Sequence, residues 1–319
     1  MFVLDFDISI GSYKLQFVDS VTVRRSVENL ADTAEIILPS SSNNRTLEIE
    51  DKISIGELAV IRLGYKDEQN ELPVEFQGYI QSITTDGGVI KIVCEDELYN
   101  FRKELTNIVL EEATIEQIVE QVAGEVSDFD VCCDYDFTYD RFTIYDMTGL
   151  DVLKKIQEES NANIFFKDNT LHVHPHYAEQ GEKVIYDFAI NIEKSELTYN
   201  ENKQRNYLVI VEGTDTDGKV IRVQKGEEGG EKVTIRLEGV SDISSLETRA
   251  EEELMAQESA AYEGSITCWL VPYVEPTWLA EIRDEEYPFR DGTYYVVTVD
   301  TYFSSKGGVR KITFGKKIA

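Results

Sequence analysis

The amino-acid sequence predicts a mainly β protein with an α+β insert: two related antiparallel β domains, each a barrel or a sandwich, on either side of a small α+β module. The first observation is a strand-forming phrase that occurs twice, as DGGVIKIVC at 86–94 and KGGVRKITF at 306–314. The second is the pair LAVIR and LAEIR, whose first leucines stand 29 and 28 residues before the first glycine of the phrase that follows. Between these anchors each copy has an aromatic residue and then a glycine, Phe76 and Gly78 or Phe289 and Gly292.

Residues 1–105 form the first predicted β domain. Apolar and polar residues alternate in VLDFDISI, YKLQFVDSVTVRRSV, TAEIILP and KISIGELAVIRLGY, as they do on the two faces of an antiparallel sheet. The stretch EFQGYIQSITTDGGVIKIVCED predicts a hairpin with its turn at Asp86-Gly87-Gly88, because glycine readily adopts the positive φ of such turns. The composition of SSSNN at 40–44 indicates a loop.

Residues 106–180 form the predicted α+β module. Two amphipathic helices are expected, in ATIEQIVEQVAGE with a capping box of Thr114 and Gln117, and in TGLDVLKKIQEESNA with Thr148 as its cap. A pair of strands, FDVCCDYDF and FTIYDM, lies between the helices, and NIFFKDNTLHVHP follows as a hairpin that turns at Asp168-Asn169. The helix residues expected to face inward are Ile115, Ile118, Val119, Val122, Leu150, Leu153 and Ile156.

Residues 181–319 form the second predicted β domain, with one helix near 244–262. Its strand segments are KVIYDFAI, EKSELTYN, RNYLVIVEGTD, GKVIRVQKG and EKVTIRLEG. The segment SSLETRAEEELMAQESAAY is rich in strong helix formers, and the sequence leaves open whether the α+β insert takes in part of this helix. The closing hairpin, GTYYVVTVDTYFSSKGGVRKITFG, is the second copy of the opening one.

The chain carries a strong excess of acid, with 61 acidic and 31 basic residues and a formal net charge of −30. A surface of this charge repels phosphate backbones, so we expect no stable binding of nucleic acid. Apolar runs are too short to span a bilayer, and the acidic start MFVLDFDISIG is unlike a secretory signal. The early basic pair Arg24-Arg25 is either a solvated strand segment or a contact for an acidic protein partner. Free thiols are expected for the cysteines, Cys94, Cys132, Cys133 and Cys268.

The three histidines of the chain lie together, as His172, His174 and His176 in HVHPH. Alternation would place them on one face of a strand, and imidazole binds metals, but Pro175 interrupts the ladder and no carboxylate lies within two residues. A solvated strand end is therefore the expected role, with metal binding as the alternative. The sequence also lacks a G-x-S-x-G elbow, a P-loop and a dinucleotide fingerprint. We predict no catalytic residues, no cofactor-binding residues and no metal ligands.

The order of the motifs resembles a known family. The stretches VTVRRSVENLADTAEIILPS, IEDKISIGELAVIRLGYKDE and EFQGYIQSITTDGGVIKIVCEDELYNFRK, followed by TIEQIVEQVAGE and TGLDVLKKIQEESNANIFF, are similar to phage tail baseplate hub proteins. These are the late control protein D-like or Mu-like tail hubs, related to the N-terminal part of type VI secretion spike proteins. The resemblance covers nearly the whole chain, and no muralytic or β-helical spike domain follows within it.

The resemblance implies two tail-tube-like β domains and a structural role without enzymatic activity or cofactor. A homotrimer would form a pseudo-hexameric ring that joins the hexameric tail tube to a trimeric spike, contacts other baseplate proteins and forms a passage for DNA or an effector. The expected location is the tail baseplate of a virion, assembled in the bacterial host cytoplasm and encoded by a phage, a prophage or a domesticated contractile injection system. Acidic residues that line the bore would keep a polyanion from sticking there.

Three other functions are compatible with the sequence. The first is another tail-tip component of a phage with the same duplicated fold. The second is a tail-associated enzyme that degrades cell wall or carbohydrate, although among 61 acidic residues no pair stands out as catalytic. The third is an acidic β-rich adhesion or ligand-binding module, which the repeated LAVIR and LAEIR segments disfavour.

Overall fold

The computed structural model describes residues 3–39, 53–66, 71–86, 89–127, 129–199, 206–257 and 262–318. The chain divides into two compact units, each discontinuous in sequence. Unit 1 comprises Met1–Tyr99, Gln180–Thr198 and Gly264–Ala319. Unit 2 comprises Asn100–Glu179 and Tyr199–Glu263.

The secondary structure is mainly β, as the sequence predicts. The strands are β1 (Leu4–Ile10), β2 (Tyr13–Lys14), β3 (Ser20–Ser26), β4 (Thr33–Leu38), β5 (Leu58–Tyr65), β6 (Val74–Asp86), β7 (Val89–Glu95), β8 (Ile108–Thr114), β9 (Asp130–Cys133), β10 (Thr138–Ile144), β11 (Asn163–Lys167), β12 (Thr170–His174), β13 (Lys183–Asp187), β14 (Ile192–Tyr199), β15 (Tyr207–Thr214), β16 (Val220–Gly226), β17 (Glu231–Glu238), β18 (Tyr262–Trp269), β19 (Leu279–Arg283), β20 (Gly292–Ser304) and β21 (Gly307–Lys317). The α-helices are α1 (Ile115–Val126), α2 (Gly149–Ser160) and α3 (Ile243–Gln257), and short 3-10 helices span Glu97–Arg102 and Pro288–Arg290. None of the described helices is long and apolar enough to cross a membrane.

Unit 1 is built on one large sheet with the strand order β14-β18-β21-β20-β3-β4-β7-β6-β5-β1-β2, to which β19 and β13 are added beside β20. Alternate residues of its strands point to one side and form a continuous hydrophobic core. The barrel that the sequence left open as a possibility is not found, because no sheet closes on itself within the described residues. Members of this core include Ile8, Ile10, Val21, Val23, Ile36, Ile61, Ile92 and Phe303.

The two halves of this sheet repeat the same three-stranded unit, although the strand beside it is antiparallel in one half (β1 on β5) and parallel in the other (β13 on β19). In one half β5, β6 and β7 are neighbours, and in the other half β19, β20 and β21 are neighbours. Leu58 lies opposite Tyr79 in the first copy, and Leu279 lies opposite Tyr295 in the second. Each long hairpin also has a shift of register at the next residue, after Ile80 in β6 and after Val296 in β20, and β20 has a further shift just before Val296. The duplicated phrase therefore marks a duplicated hairpin with the same bulge.

The aromatic residues and glycines that lie between the repeated segments are not at equivalent positions in the sheet. Phe76 lies opposite Ile61, but the corresponding Ile282 lies opposite Gly292, and Phe289 lies in a 3-10 helix outside the sheet. From the leucine to the tyrosine opposite it, the first copy is five residues longer than the second. From that tyrosine to the first glycine of the repeated phrase, it is four residues shorter. These two differences nearly cancel, so the spacing of the outer anchors is preserved while the alignment between them slips.

The glycines of the predicted first turn, Gly87 and Gly88, lie outside the described residues, as does the loop expected at 40–44. Asp86 lies opposite Val89, so the hairpin itself is confirmed. The second hairpin pairs further, with Ser304 opposite Gly307. Its glycines therefore belong to β21, and its turn, at residues 305–306, lies two residues earlier in the phrase.

Among the described residues, unit 2 contains three small sheets, in the orders β10-β8, β11-β12-β9 and β16-β15-β17, and the helices α1, α2 and α3. Both helix starts are confirmed, since Thr114 and Gln117 form a capping box and Thr148 forms one with Asp151. The turn at Asp168-Asn169 is also confirmed, with φ values of 50° and 63°. The inward helix residues are buried except Leu150, which is half-buried at the first turn of α2.

One strand pairing in unit 2 is corrected by the structure. The segments FDVCCDYDF and FTIYDM do not pair with each other: β9 runs parallel to β12, and β10 pairs with β8, a strand that we did not identify in the sequence. The helix expected near 244–262 is α3, which packs on β15 and β16 within unit 2. Tyr262 already belongs to β18, and residues 258–261 lie outside the described part of the chain.

Candidate functional site

The two copies of the duplicated hairpin meet inside unit 1 at a single strand-to-strand joint. The outer part of β20, Thr298–Ser304, pairs antiparallel with β3, Ser20–Ser26. The joint also carries a side-chain hydrogen bond between the hydroxyl groups of Ser26 and Thr298, at 2.9 Å. The edge strand of one copy thus pairs with the edge strand of the other, and the two copies form one continuous sheet.

No described strand fully covers the equivalent edges of the two copies. β6 occupies in the first copy the position that β20 occupies in the second, but β5 covers it only as far as Tyr79. At the next residue, Gly56 N–H donates to the carbonyl of Ile80, and Ile80 N–H donates to the carbonyl of Glu57. Beyond Ile80 no described strand lies on that side of β6. β14 occupies next to β18 the position that β3 occupies next to β4, and it ends the sheet. The part of the chain that the structure describes therefore presents one unpaired edge of each kind that its internal joint uses.

The side chains along these two edges are mostly polar and exposed. On β6, Thr84 and Thr85 are exposed, and on β14 the same holds for Lys194, Ser195 and Glu196. An edge of this kind presents unpaired backbone N–H and C=O groups, which a further strand can satisfy. What this arrangement can do is bind another strand.

A fully buried ion pair connects the two copies near the joint. Arg310 on β21 is 0% exposed and Glu75 on β6 is 1% exposed, and the guanidinium donates to the carboxylate through Nη2. Arg310 also donates to the carbonyls of Leu270 and Pro272, and Thr301 donates to the other carboxylate oxygen at 3.0 Å. We did not identify this pair in the sequence. A signal was present, since the repeated phrase has Ile90 where its second copy has Arg310.

The early basic pair has different surroundings on its two members. Arg24 is exposed, whereas Arg25 is half-buried and lies 3.4 Å from Asp32 and 3.7 Å from Glu275, with the hydroxyl of Tyr273 at 2.9 Å. The acidic partners of Arg25 are thus residues of the same chain. Burial raises the pKa of Asp32 to about 6, although the positive charge of Arg25 opposes the rise.

The histidine segment is not the solvated strand end that we expected. Strand β12 ends at His174, so only His172 and His174 share a strand face, and His176 follows Pro175 in a turn. His174 is 4% exposed and bonds to Asp134, and His176 bonds to the buried Glu252. The carboxylates come from distant parts of the sequence, which is why inspection of neighbouring positions missed them. Cys132, His172 and His174 form a group that could hold a metal ion.

The remaining cysteines are free, in agreement with the sequence. Cys94 and Cys268 are buried and Cys133 is half-buried. Burial raises the pKa of the Cys94 thiol to about 12, and those of Cys133 and Cys268 to about 11. These three thiols are protonated at neutral pH and are poor nucleophiles.

A surface hollow of unit 1 gathers several carboxylates, among them Asp187, Glu281 and Asp284. Lys183 and Arg283 form ion pairs with Glu281, and their hydrogen bonds lower its pKa. Arg290 pairs with Asp284 at 3.1 Å. A glycosidase acid needs a raised pKa, so Glu281 is held in the opposite state.

Comparisons with known proteins rest on structure alone. No protein-family model and no curated protein matches the sequence. Over 98% of this chain and 96% of the other, the structure is similar to a tail protein from Neisseria meningitidis, with a TM-score of 0.70 and 12% identity. Over 98% of both chains it is similar to a 43 kDa tail protein of prophage MuSo2 from Shewanella oneidensis, with a TM-score of 0.71 and 14% identity. The fold is that of phage tail proteins.

The same fold extends to a secretion machine. The chain matches an Escherichia coli component of the type VI secretion system with a TM-score of 0.60 and 9% identity, over 98% of this chain and 77% of the other. The resemblance to tail hub and secretion spike proteins that the sequence suggested is therefore confirmed at the level of the fold.

Proposed function

We propose that this protein is the structural baseplate hub of a contractile phage tail or of a related injection machine. The observation that carries the proposal is that the edges joined inside the chain, β20 and β3, have equivalents in β6 beyond Ile80 and in β14, on which no described strand lies. A second copy of the chain can supply the missing strand for each of them. The occupant of either edge is thus the opposite edge of a neighbouring subunit.

Such contacts are heterologous and form a ring when the rotation closes. With β14 of one subunit on β6 of the next, three subunits alternate three internal joints with three joints between chains. Six similar β domains then surround one axis, which gives a trimer the pseudo-sixfold symmetry of a hexameric tail tube. The sheet that is open in one chain closes in the ring, so the tail-tube-like barrel belongs to the trimer.

The proposed partners follow from this symmetry. The pseudo-hexameric ring matches the tail tube protein, its true threefold symmetry matches a trimeric spike protein, and its periphery contacts other baseplate proteins of the virion tail. The role is structural, and a net charge of −30 favours a bore that DNA or an effector passes without stable binding. The division into domains 1–105, 106–180 and 181–319 remains part of the proposal.

The first experiment is the mass of the purified protein in solution by light scattering. One chain is 36.4 kDa, so a trimer has about three times that mass, and negative-stain images should show a central hole. Neighbouring residues of a strand direct their N–H groups to opposite edges. The variants Lys194→Pro and Ser195→Pro are therefore both made, because one of the two removes an N–H group from the outer edge of β14. That variant should remain folded and become monomeric. A wild-type monomer at high concentration contradicts the ring.

Another tail-tip component with the same fold is the alternative. Co-purification with a trimeric spike protein supports the hub, and failure to bind any spike while trimeric supports the tip component. For a cell-wall or carbohydrate-degrading enzyme, clearing of a cell-wall zymogram by the purified chain would be decisive. The ion-paired carboxylates of Glu281 and Asp284 argue against that activity.

A further inference from the structure

A group of metal-ligating side chains lies on one face of the small sheet of unit 2. β9 runs parallel to β12 with Cys132 opposite His172, and His174 follows two residues later on the same face. The Sγ atom of Cys132 and one ring nitrogen of each histidine all lie within 4.8 Å of one another. Nδ1 of His172 and Nε2 of His174 are 3.0 Å apart.

A carboxylate orients one of the two imidazoles. Nδ1 of His174 lies 2.5 Å from a carboxylate oxygen of Asp134, so this nitrogen carries the proton that it donates. The lone pair of His174 is then on Nε2, the atom that points at His172. Histidines that bind metals are oriented by an outer carboxylate in this way. The His174 side chain is 5% exposed, so its orientation is fixed by its surroundings.

The second imidazole is also held in place. The ring of His172 stacks on Phe165, its neighbour across β11 and β12, with an interplanar angle of 3° and 5.1 Å between ring centroids. Cys132 is exposed on the other side of the group. Three ligand atoms are thus provided by two paired strands, and the solvent side is open for a fourth ligand.

We propose that Cys132, His172 and His174 bind one zinc ion, with water in the fourth position. Thiolate and imidazole are the ligands that zinc prefers, and three protein ligands with one open position are common. Zinc bond lengths in a tetrahedron place two nitrogens about 3.3 Å apart and a nitrogen and a sulfur about 3.6 Å apart. The observed arrangement needs shifts of a few tenths of an ångström for the imidazoles and an inward rotation of the exposed Cys132. On binding, the proton that Nδ1 of His172 donates to His174 moves to Nε2 of His172, and the thiol of Cys132 loses its proton to solvent. The ion links β9 to β12 within unit 2, and this inference is independent of the ring proposed above.

The test uses cobalt as a spectroscopic probe for zinc in the full-length protein. Cobalt bound by a thiolate gives a charge-transfer band that carboxylates do not produce, so the many acidic residues of the chain do not contribute to it. Excess magnesium, which prefers oxygen ligands, is present throughout. We expect a thiolate band that saturates at one cobalt per chain and disappears when one equivalent of zinc is added.

Matched variants assign the ligands. Cys132→Ser should abolish the band, whereas Cys133→Ser changes the neighbouring thiol, which points to the other face, and should leave it intact. Asp134→Asn should keep the ligands but weaken zinc binding by about 10- to 100-fold. His176→Gln, outside the group, should bind as wild type does. Because Cys132 and Asp134 are exposed, their variants are expected to fold, which circular dichroism will check.

Two results would overturn the proposal. One is the absence of a saturable thiolate band in the wild-type protein, in which case His172 and His174 are joined by a simple hydrogen bond. The other is equal loss of the band in Cys132→Ser and Cys133→Ser, which would show that the ion follows the thiols in general and not this group.

Discussion

The buried ion pair between Arg310 and Glu75 makes a strong prediction about stability. We consider the change Glu75→Leu, which keeps most of the side-chain volume and removes the charge. Arg310 is then left as a cation with no exposed surface, held by the carbonyls of Leu270 and Pro272 and by the ring of Tyr273 at 5.1 Å. The variant tests whether the second copy of the hairpin depends on a charge contributed by the first.

The expected loss in free energy of unfolding is about 4 kcal/mol. Breaking a buried ion pair from one side costs about 3–5 kcal/mol, and the two carbonyls and the aromatic ring place this pair at the lower end. The hydroxyl of Thr301, which donates to Glu75 at 3.0 Å, loses its partner and adds about 1 kcal/mol. The double variant Glu75→Leu, Arg310→Met removes both charges, so it should be less destabilised than Glu75→Leu alone.

The assay is urea unfolding followed by tryptophan fluorescence. Both tryptophans of the chain, Trp269 and Trp278, lie in unit 1, so the signal reports the unit that holds the ion pair. The control is Glu35→Leu, which breaks the pair of Glu35 with Lys91 at 2.6 Å, where both side chains are more than a third exposed. Such pairs contribute less than about 1 kcal/mol. The reasoning is refuted if Glu75→Leu costs no more than Glu35→Leu, or if the double variant is as unstable as the sum of the two single changes.

Two further predictions concern unit 1. Burial raises the pKa of Asp32 from 3.8 to about 6, so between these values the folded state binds a proton that the unfolded state has lost, and wild type loses stability as pH rises. The stability of Asp32→Asn relative to wild type should therefore increase by up to about 3 kcal/mol from pH 4 to pH 7; a pH-independent difference in urea midpoints would exclude this. Gly78→Ala places a Cβ 2.3 Å from the carbonyl oxygen of Glu95 and should cost about 1–3 kcal/mol or more. Its control, Gly124→Ala on the exposed face of α1, meets nothing within 4 Å and should stabilise unit 2 by about 1 kcal/mol in thermal unfolding followed by circular dichroism.

The features that the sequence predicts correctly are those specified by local interactions. The capping boxes at Thr114 and Thr148 each lie within four residues, and the turn at Asp168-Asn169 depends on the φ values of two neighbours. The duplicated hairpin was found because two distant segments carry the same pattern. In each case the structure follows either from residues that are neighbours in the sequence or from two segments that can be aligned directly.

The features that the sequence did not predict depend on contacts between distant residues. The sequence around β9 does not determine whether this strand pairs with β12 or with β10. The pairing with β12 places Cys132 opposite His172. The partners of the histidines, Asp134 and Glu252, are 40 and 76 residues away along the chain. Alternation likewise gives no reason for a buried Glu75, because its counter-charge lies 235 residues further on.

The difference between Ile90 and Arg310 makes the two copies of the hairpin chemically different. In the second copy, Arg310 binds Glu75 of the first copy beside the joint of β20 with β3. The equivalent position in the first copy is Ile90, which packs half-buried against the hydrophobic core of its own half. In the proposed ring, the joint of β6 with a neighbour's β14 therefore lacks this guanidinium. The joint within a chain and the joint between chains would then differ in chemistry, one beside a buried ion pair and the other beside an apolar side chain.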